Sequence, residues 1–78
     1  MIMFTIKVIE SSTGRPAEDV KVSVEIRNGL FDFGFLPTQY TDCDGEVHFD
    51  HENANAVVYV NGDSVFEGYL SGRKVVYI

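Results

Sequence analysis

Apolar and polar residues alternate along most of this chain, and a period of two is the mark of half-buried β-strands rather than helices. Phe4, Ile6 and Val8 point one way while Thr5 and Lys7 point the other. After a loop containing Gly14 and Pro16, the run "VKVSVEIR" sets Val20, Val22, Val24 and Ile26 against Lys21, Ser23, Glu25 and Arg27. Its β-branched residues suit a pleated surface. Asn28-Gly29 follows and predicts a two-residue hairpin turn. Counting outward pairs Arg27 with Leu30, Ile26 with Phe31, Val24 with Phe33 and Val22 with Phe35. On that register "FDFGF" is a core-facing strand, ended by Leu36-Pro37.

A second Asn-Gly, at Asn61-Gly62, joins "AVVYV" to "DSVFEGYL". It predicts the pairs Val60 with Asp63, Tyr59 with Ser64, Val58 with Val65 and Val57 with Phe66. Both faces of this hairpin carry apolar residues. Ser71-Gly72 then turns the chain into a last strand, "RKVVYI". No helical period appears. The expectation is an all-β fold, a small antiparallel β-sandwich of about seven strands forming a single domain over residues 1–78. The expected core holds Val22, Val24, Ile26, Phe33, Phe35, Val47 and Phe49.

Composition narrows the function. Twelve acids against six bases give a net charge of −6, which repels a phosphate backbone and disfavours nucleic acid. The apolar start is too short for a signal peptide or a membrane span, so no membrane partner is expected, and a full-length chain of this kind would be cytoplasmic. One cysteine, Cys43, rules out an internal disulfide. A chain of 78 residues buries a small core and gains from association.

The segment "TDCDGEVHFD" gathers three carboxylates around Gly45 before His48. A helix-flanked calcium loop with Gly45 at its sixth position would find Asp42 and Asp44 as ligands. It would also find Tyr40 first, His51 last and no helix on either side. A tight turn fits better: glycine reaches positive φ, and Asp42 bonds the backbone two residues on. A zinc site would need Cys43 or Asp50 to converge with His48 or His51, and no zinc spacing supports it. Cys43 has no base beside it, and no serine lies in a nucleophile elbow. Hence no catalytic, cofactor-binding or metal residue is assigned, and no cofactor is expected. Tyr40, Tyr59, Tyr69 and Tyr77 are read as cross-strand packing, with a sugar or peptide platform as the alternative.

The order of elements resembles the prealbumin-like sandwich of carboxypeptidase regulatory-like and transthyretin-like domains. The likeness rests on "VIESSTGRPAEDVKVSVEI" with its Thr13-Gly14-x-Pro16 loop, on "YTDCDGEVHF" with Thr41, Asp42 and Gly45, and on "AVVYVNGDSVFEGYL". It implies an accessory, surface or interaction module without activity of its own. Some transthyretin relatives hydrolyse a purine-derived substrate with histidine, arginine and a serine-rich C-terminal motif, but "GRKVVYI" supplies no match. The function expected is thus a non-catalytic binding or structural module acting through protein contacts, its small-molecule ligand, if any, unknown. A small hydrolase or isomerase, or a carbohydrate-binding module, is the alternative. An enzyme would need His48 or His51 gathered with a carboxylate or Arg15 around one accessible point. Uncharged "VVYI" at the last strand suggests a homodimer formed through a sheet edge or an exposed aromatic strand.

Overall fold

The alternating segments do form strands. The computed structural model describes residues 3–30 and 32–78, and among them the chain has eight strands and no helix. These are β1 Phe4–Ile9, β2 Lys21–Arg27, β3 Phe33–Phe35, β4 Gln39–Tyr40, β5 Glu46–Phe49, β6 Ala54–Val60, β7 Asp63–Leu70 and β8 Arg73–Tyr77. One sheet has the order β5-β1-β8; the other runs β3-β2-β6-β7, with β4 also pairing β2. The short β3 and β4 therefore share one border of the larger sheet. Twice the chain steps from an edge strand of that sheet to an edge strand of the smaller one, between β4 and β5 and between β7 and β8.

The two inner faces share one apolar cluster in a sandwich-like arrangement. The smaller sheet and its turns give Phe4, Ile6, Val8, Val47, Phe49 and Val76; the larger gives Val22, Val24, Ile26, Ala54, Ala56, Val58, Val60 and Leu70. Each large side chain buried this way contributes roughly 1.5–3 kcal/mol. Phe4 and Phe49 pack ring to ring at 5.7 Å. Five of the seven expected core residues, Val22, Val24, Ile26, Val47 and Phe49, are buried here.

The other two are not. Phe33 and Phe35 are 71% and 66% exposed. The observed register pairs Glu25 with Phe35, Ile26 with Gly34 and Arg27 with Phe33. This lies three residues from the expected one, and an odd shift turns the strand over. The cause is local. A type I′ turn needs positive φ at both central residues. Asn61 and Gly62 meet that, at 52° and 88°, whereas Asn28 is absent from the positive-φ residues and Gly29 sits at 136°. Asn28 closes a longer loop instead. Its N–H donates to the Asp32 carbonyl at 2.9 Å and its Nδ2 to the Asp32 carboxylate at 2.8 Å. Its Oδ1 also accepts from the Asn55 N–H at 2.8 Å, tying the loop to β6. Phe31, the expected partner of Ile26, lies outside the described residues.

The second hairpin matches its expected register for Val60 with Asp63 and Tyr59 with Ser64. A bulge between Val58 and Tyr59 then leaves Val65 unpaired, so Val58 meets Phe66 and Val57 meets Glu67. The sheets are also not wholly antiparallel. β8 runs parallel to β1, from Thr5 with Arg73 to Ile9 with Tyr77. Because β8 arrives from the other sheet, no hairpin fixes its direction.

Candidate functional site

Cross-strand neighbours share a face. On β2 the outward residues are Lys21, Ser23, Glu25 and Arg27, so the pairings of the larger sheet carry Phe33, Phe35, Tyr40, Val57 and Tyr59 outward with them. Glu67 faces Val57 from β7, and Tyr69 stands one outward position further along the same strand. Phe33, Phe35, Tyr40 and Tyr69 are all exposed. The rings expected inside the sandwich, and three of the four tyrosines expected to pack across strands, form a single outward-facing surface.

An ionic network holds its middle. Glu25 Oε1 accepts from the Tyr59 hydroxyl at 3.0 Å and from Arg27 Nη2 at 3.0 Å, while Arg27 Nη1 reaches Glu67 Oε2 at 3.4 Å. The hydrogen bond to Glu25 raises the pKa of the Tyr59 phenol, with desolvation adding to it. The same carboxylate raises that of the Arg27 guanidinium, through its hydrogen bond first and its charge second. Arg27 extends from β2 to β7 and so crosses β6 where Val57 lies. Val57 is only 3% exposed although it faces away from the core. The network thus fixes the long side chains and the Tyr59 hydroxyl and shields one apolar residue, while the rings of Phe33, Phe35, Tyr40 and Tyr69 lie outside it.

Phe35 and Tyr59 lean together over β2, with ring centroids 6.1 Å apart and planes tilted by 34°. With Lys21, Ser23 and Gly62 they line a shallow cavity of about 310 Å³, near the lower end of small-molecule sites, about 300–1,000 Å³. A second cavity, about 220 Å³, lies at the β6–β7 turn between Val60, Asn61, Asp63, Val65 and Ile78.

The candidate enzyme residues lie on the other sheet. His48 Nδ1 is 2.8 Å from Thr5 Oγ1, and His48 Nε2 is 3.8 Å from Glu46, whose other oxygen pairs with Arg73 at 2.8 Å. A base, a hydroxyl and a carboxylate are therefore neighbours, but they lie across the open outer face of β5, β1 and β8. Neither cavity includes them. His51 is engaged elsewhere, 2.7 Å from the Glu52 carbonyl and edge-on to Phe4. Arg15 sits in the β1–β2 loop, its N–H on Thr13 Oγ1. Among the described residues no three His, Cys, Asp or Glu side chains converge as metal ligands.

The acidic segment around Gly45 is a turn between sheets. Asp42 Oδ1 accepts from the N–H groups of Asp44 at 2.9 Å and Glu46 at 3.0 Å. These bonds, that of Glu46 first, hold its carboxyl below the usual carboxylate range. A group whose pKa is depressed on folding stabilises the fold above its unfolded pKa, about 3.9, and loses that effect as pH falls through the folded value. Asp42→Asn keeps one acceptor and removes the charge. Its stability deficit should therefore be largest near neutral pH and shrink in acid, read from denaturant midpoints at each pH. A deficit constant with pH would show that the charge plays no part.

No family model matches this sequence, and no curated protein matches it. Among the described residues no helix is long and apolar enough to cross a membrane.

Proposed function

We propose that this chain is a non-catalytic binding module of the prealbumin-like type, engaging a protein partner through the outer face of its larger sheet. The exposed rings of Phe33, Phe35, Tyr40 and Tyr69 around Tyr59 and Arg27 carry this reading. Tyrosine, phenylalanine and arginine are the residues enriched where protein interfaces are buried, and contiguous exposed apolar surface marks such sites. The prealbumin-like assignment draws support from the loop at Thr13-Gly14 and from the Thr41, Asp42 and Gly45 turn between sheets. The tilted Phe35–Tyr59 pair beside Lys21 and Ser23 favours a carbohydrate as the second reading.

The test is photo-crosslinking in cells from a reactive residue placed at position 35 or 40, with position 7 on the opposite sheet as control. A discrete protein adduct from 35 and 40 but not from 7 is expected. No adduct from 35 and 40, or equal adducts from all three, overturns the reading. A hydrolase would instead lose turnover with His48→Ala and keep it with Phe35→Glu.

A further inference from the structure

From its charge, its size and the state of the sheet edges, we infer that the aromatic face is occupied by a second copy of this chain, forming a two-fold homodimer face to face. The inference rests on reading this face as a protein-binding surface.

Charge allows it. The face carries Lys21 and Arg27 against Glu25 and Glu67 and is formally neutral. Taking those four from the chain's twelve acids and six bases leaves ten acids and four bases elsewhere, so the whole net charge of −6 lies off the face. Two copies meeting here bring no net charge together, whereas their other surfaces repel. Size allows it as well. The molecule is flat, 39 × 26 × 18 Å, and a broad face of that outline can bury the roughly 800 Å² per partner of a standard interface.

The edges, one of the two routes expected from sequence beside an exposed aromatic strand, are obstructed. β3 and β4 are separated by Leu36, Pro37 and Thr38, and proline offers no ladder N–H. The β5 border has its His48 carbonyl capped by Gln39 Nε2 at 2.7 Å. β8 turns Lys74 inward, opposite Ile6 in register, with Nζ 4.2 Å from the Phe66 ring centroid. β7 is bent by its bulge and carries Gly68 at φ 153°. Inward charges, bulges and prolines are how sheets resist edge pairing. The face has no such guard. A two-fold axis along the strands lays the ring-rich border of β3 and β4 over the β7 border of the other copy, where Tyr69 stands.

Sedimentation equilibrium across about a hundredfold concentration range centred on the micromolar tests this with the purified full chain. A dimer is expected. In a symmetric contact one substitution acts twice, so Phe35→Glu should weaken it at least about a hundredfold with an unchanged β-sheet circular dichroism signal. Tyr40→Glu, at another exposed ring, is the second variant should the first fail to fold. A single-chain mass at every concentration overturns the dimer, while crosslinks from position 35 to a different protein would leave the proposed function standing. A dimer indifferent to both variants but split by Val75→Pro places the contact on the β8 edge and also overturns it.

Discussion

Gly45→Ala should lower the melting temperature by about 10 °C or more, and Gly14→Ala, at nearly the same φ, by much less. The two glycines sit at φ 74° and 73°. The left-handed conformation itself costs a residue with a Cβ about 1–2 kcal/mol, and this part is common to both. What differs is the space. A Cβ on Gly14 meets nothing within 4 Å, whereas one on Gly45 would stand 2.6 Å from the Val8 carbonyl oxygen, 3.0 Å from Pro16 Cβ and 3.1 Å from the Ala17 nitrogen. Those atoms are themselves bonded: Ala17 N–H donates to Val8 O at 2.9 Å and Val8 N–H to Gly45 O at 2.8 Å. Backbone must therefore move, and a lost buried hydrogen bond adds about 1–3 kcal/mol. Together these come to about 2–5 kcal/mol in a domain whose total stability is expected at roughly 4–12 kcal/mol. At about 4–8 °C per kcal/mol, differential scanning calorimetry resolves the pair easily. Equal shifts for the two variants would show that the close approach at Gly45 is unimportant.

Thr41→Val should be the next most damaging change, and Thr41→Ser nearly harmless. Thr41 is the buried polar residue of the core, 5% exposed. Its hydroxyl donates to the Ala17 carbonyl at 2.6 Å and accepts from the Val20 N–H at 2.9 Å. Its own backbone completes the lock, with Thr41 N–H on Val20 O and Asp19 N–H on Thr41 O, both at 3.0 Å. One side chain thus holds the β1–β2 loop to the turn segment that leaves β4. Valine has the same shape and neither bond, so a carbonyl and an N–H are left without partners. At about 1–3 kcal/mol each, partly relieved by water, the loss should total about 2–4 kcal/mol. Urea denaturation of the three proteins measures it. A valine variant as stable as the parent would mean that water satisfies both groups.

The fold was largely legible where a single local rule decided the outcome. The run from Lys21 to Arg27 alternates without exception, and its inward residues are buried as its pattern requires. Asn61-Gly62 forms the turn its composition predicts, because the bonds Asn61 makes outside the turn, its N–H to the Lys21 carbonyl at 2.9 Å and its Oδ1 from the Lys21 N–H at 3.3 Å, are made at the positive φ the turn needs. Asn28-Gly29 has the same composition and the opposite outcome, because the Asn28 side chain is bonded at both ends, to Asp32 and to Asn55. Asn55 lies 27 residues away, beyond the reach of any local rule. That one loop decided the candidate site as well. "FDFGF" alternates rings with small or polar residues, and alternation states that two faces differ without stating which is wet. The one usable signal was Leu36-Pro37, since a proline marks a strand at a sheet border. The bulge at Val65 and the parallel direction of β8 depend on packing between sheets and leave no trace in the strand pattern.

The pairing of β1 with β8 also determines how the molecule carries force. Their five register pairs join Thr5 through Ile9 to Arg73 through Tyr77, with both strands running the same way. Tension entering at Phe4 and leaving at Tyr77 pulls the two strands lengthwise past one another. The inter-strand bonds are then loaded together in shear, not peeled apart singly as they would be in an antiparallel hairpin pulled at its open end. The loop from β1 to β2 adds a second tie, since Ser11 N–H donates to Ile78 O and Ile78 N–H to Ile9 O, each at 2.9 Å. A module built this way resists stretching along its strands far better than its small core alone would suggest, and passes an imposed load straight through its smaller sheet while the aromatic face of the other sheet stays unstrained.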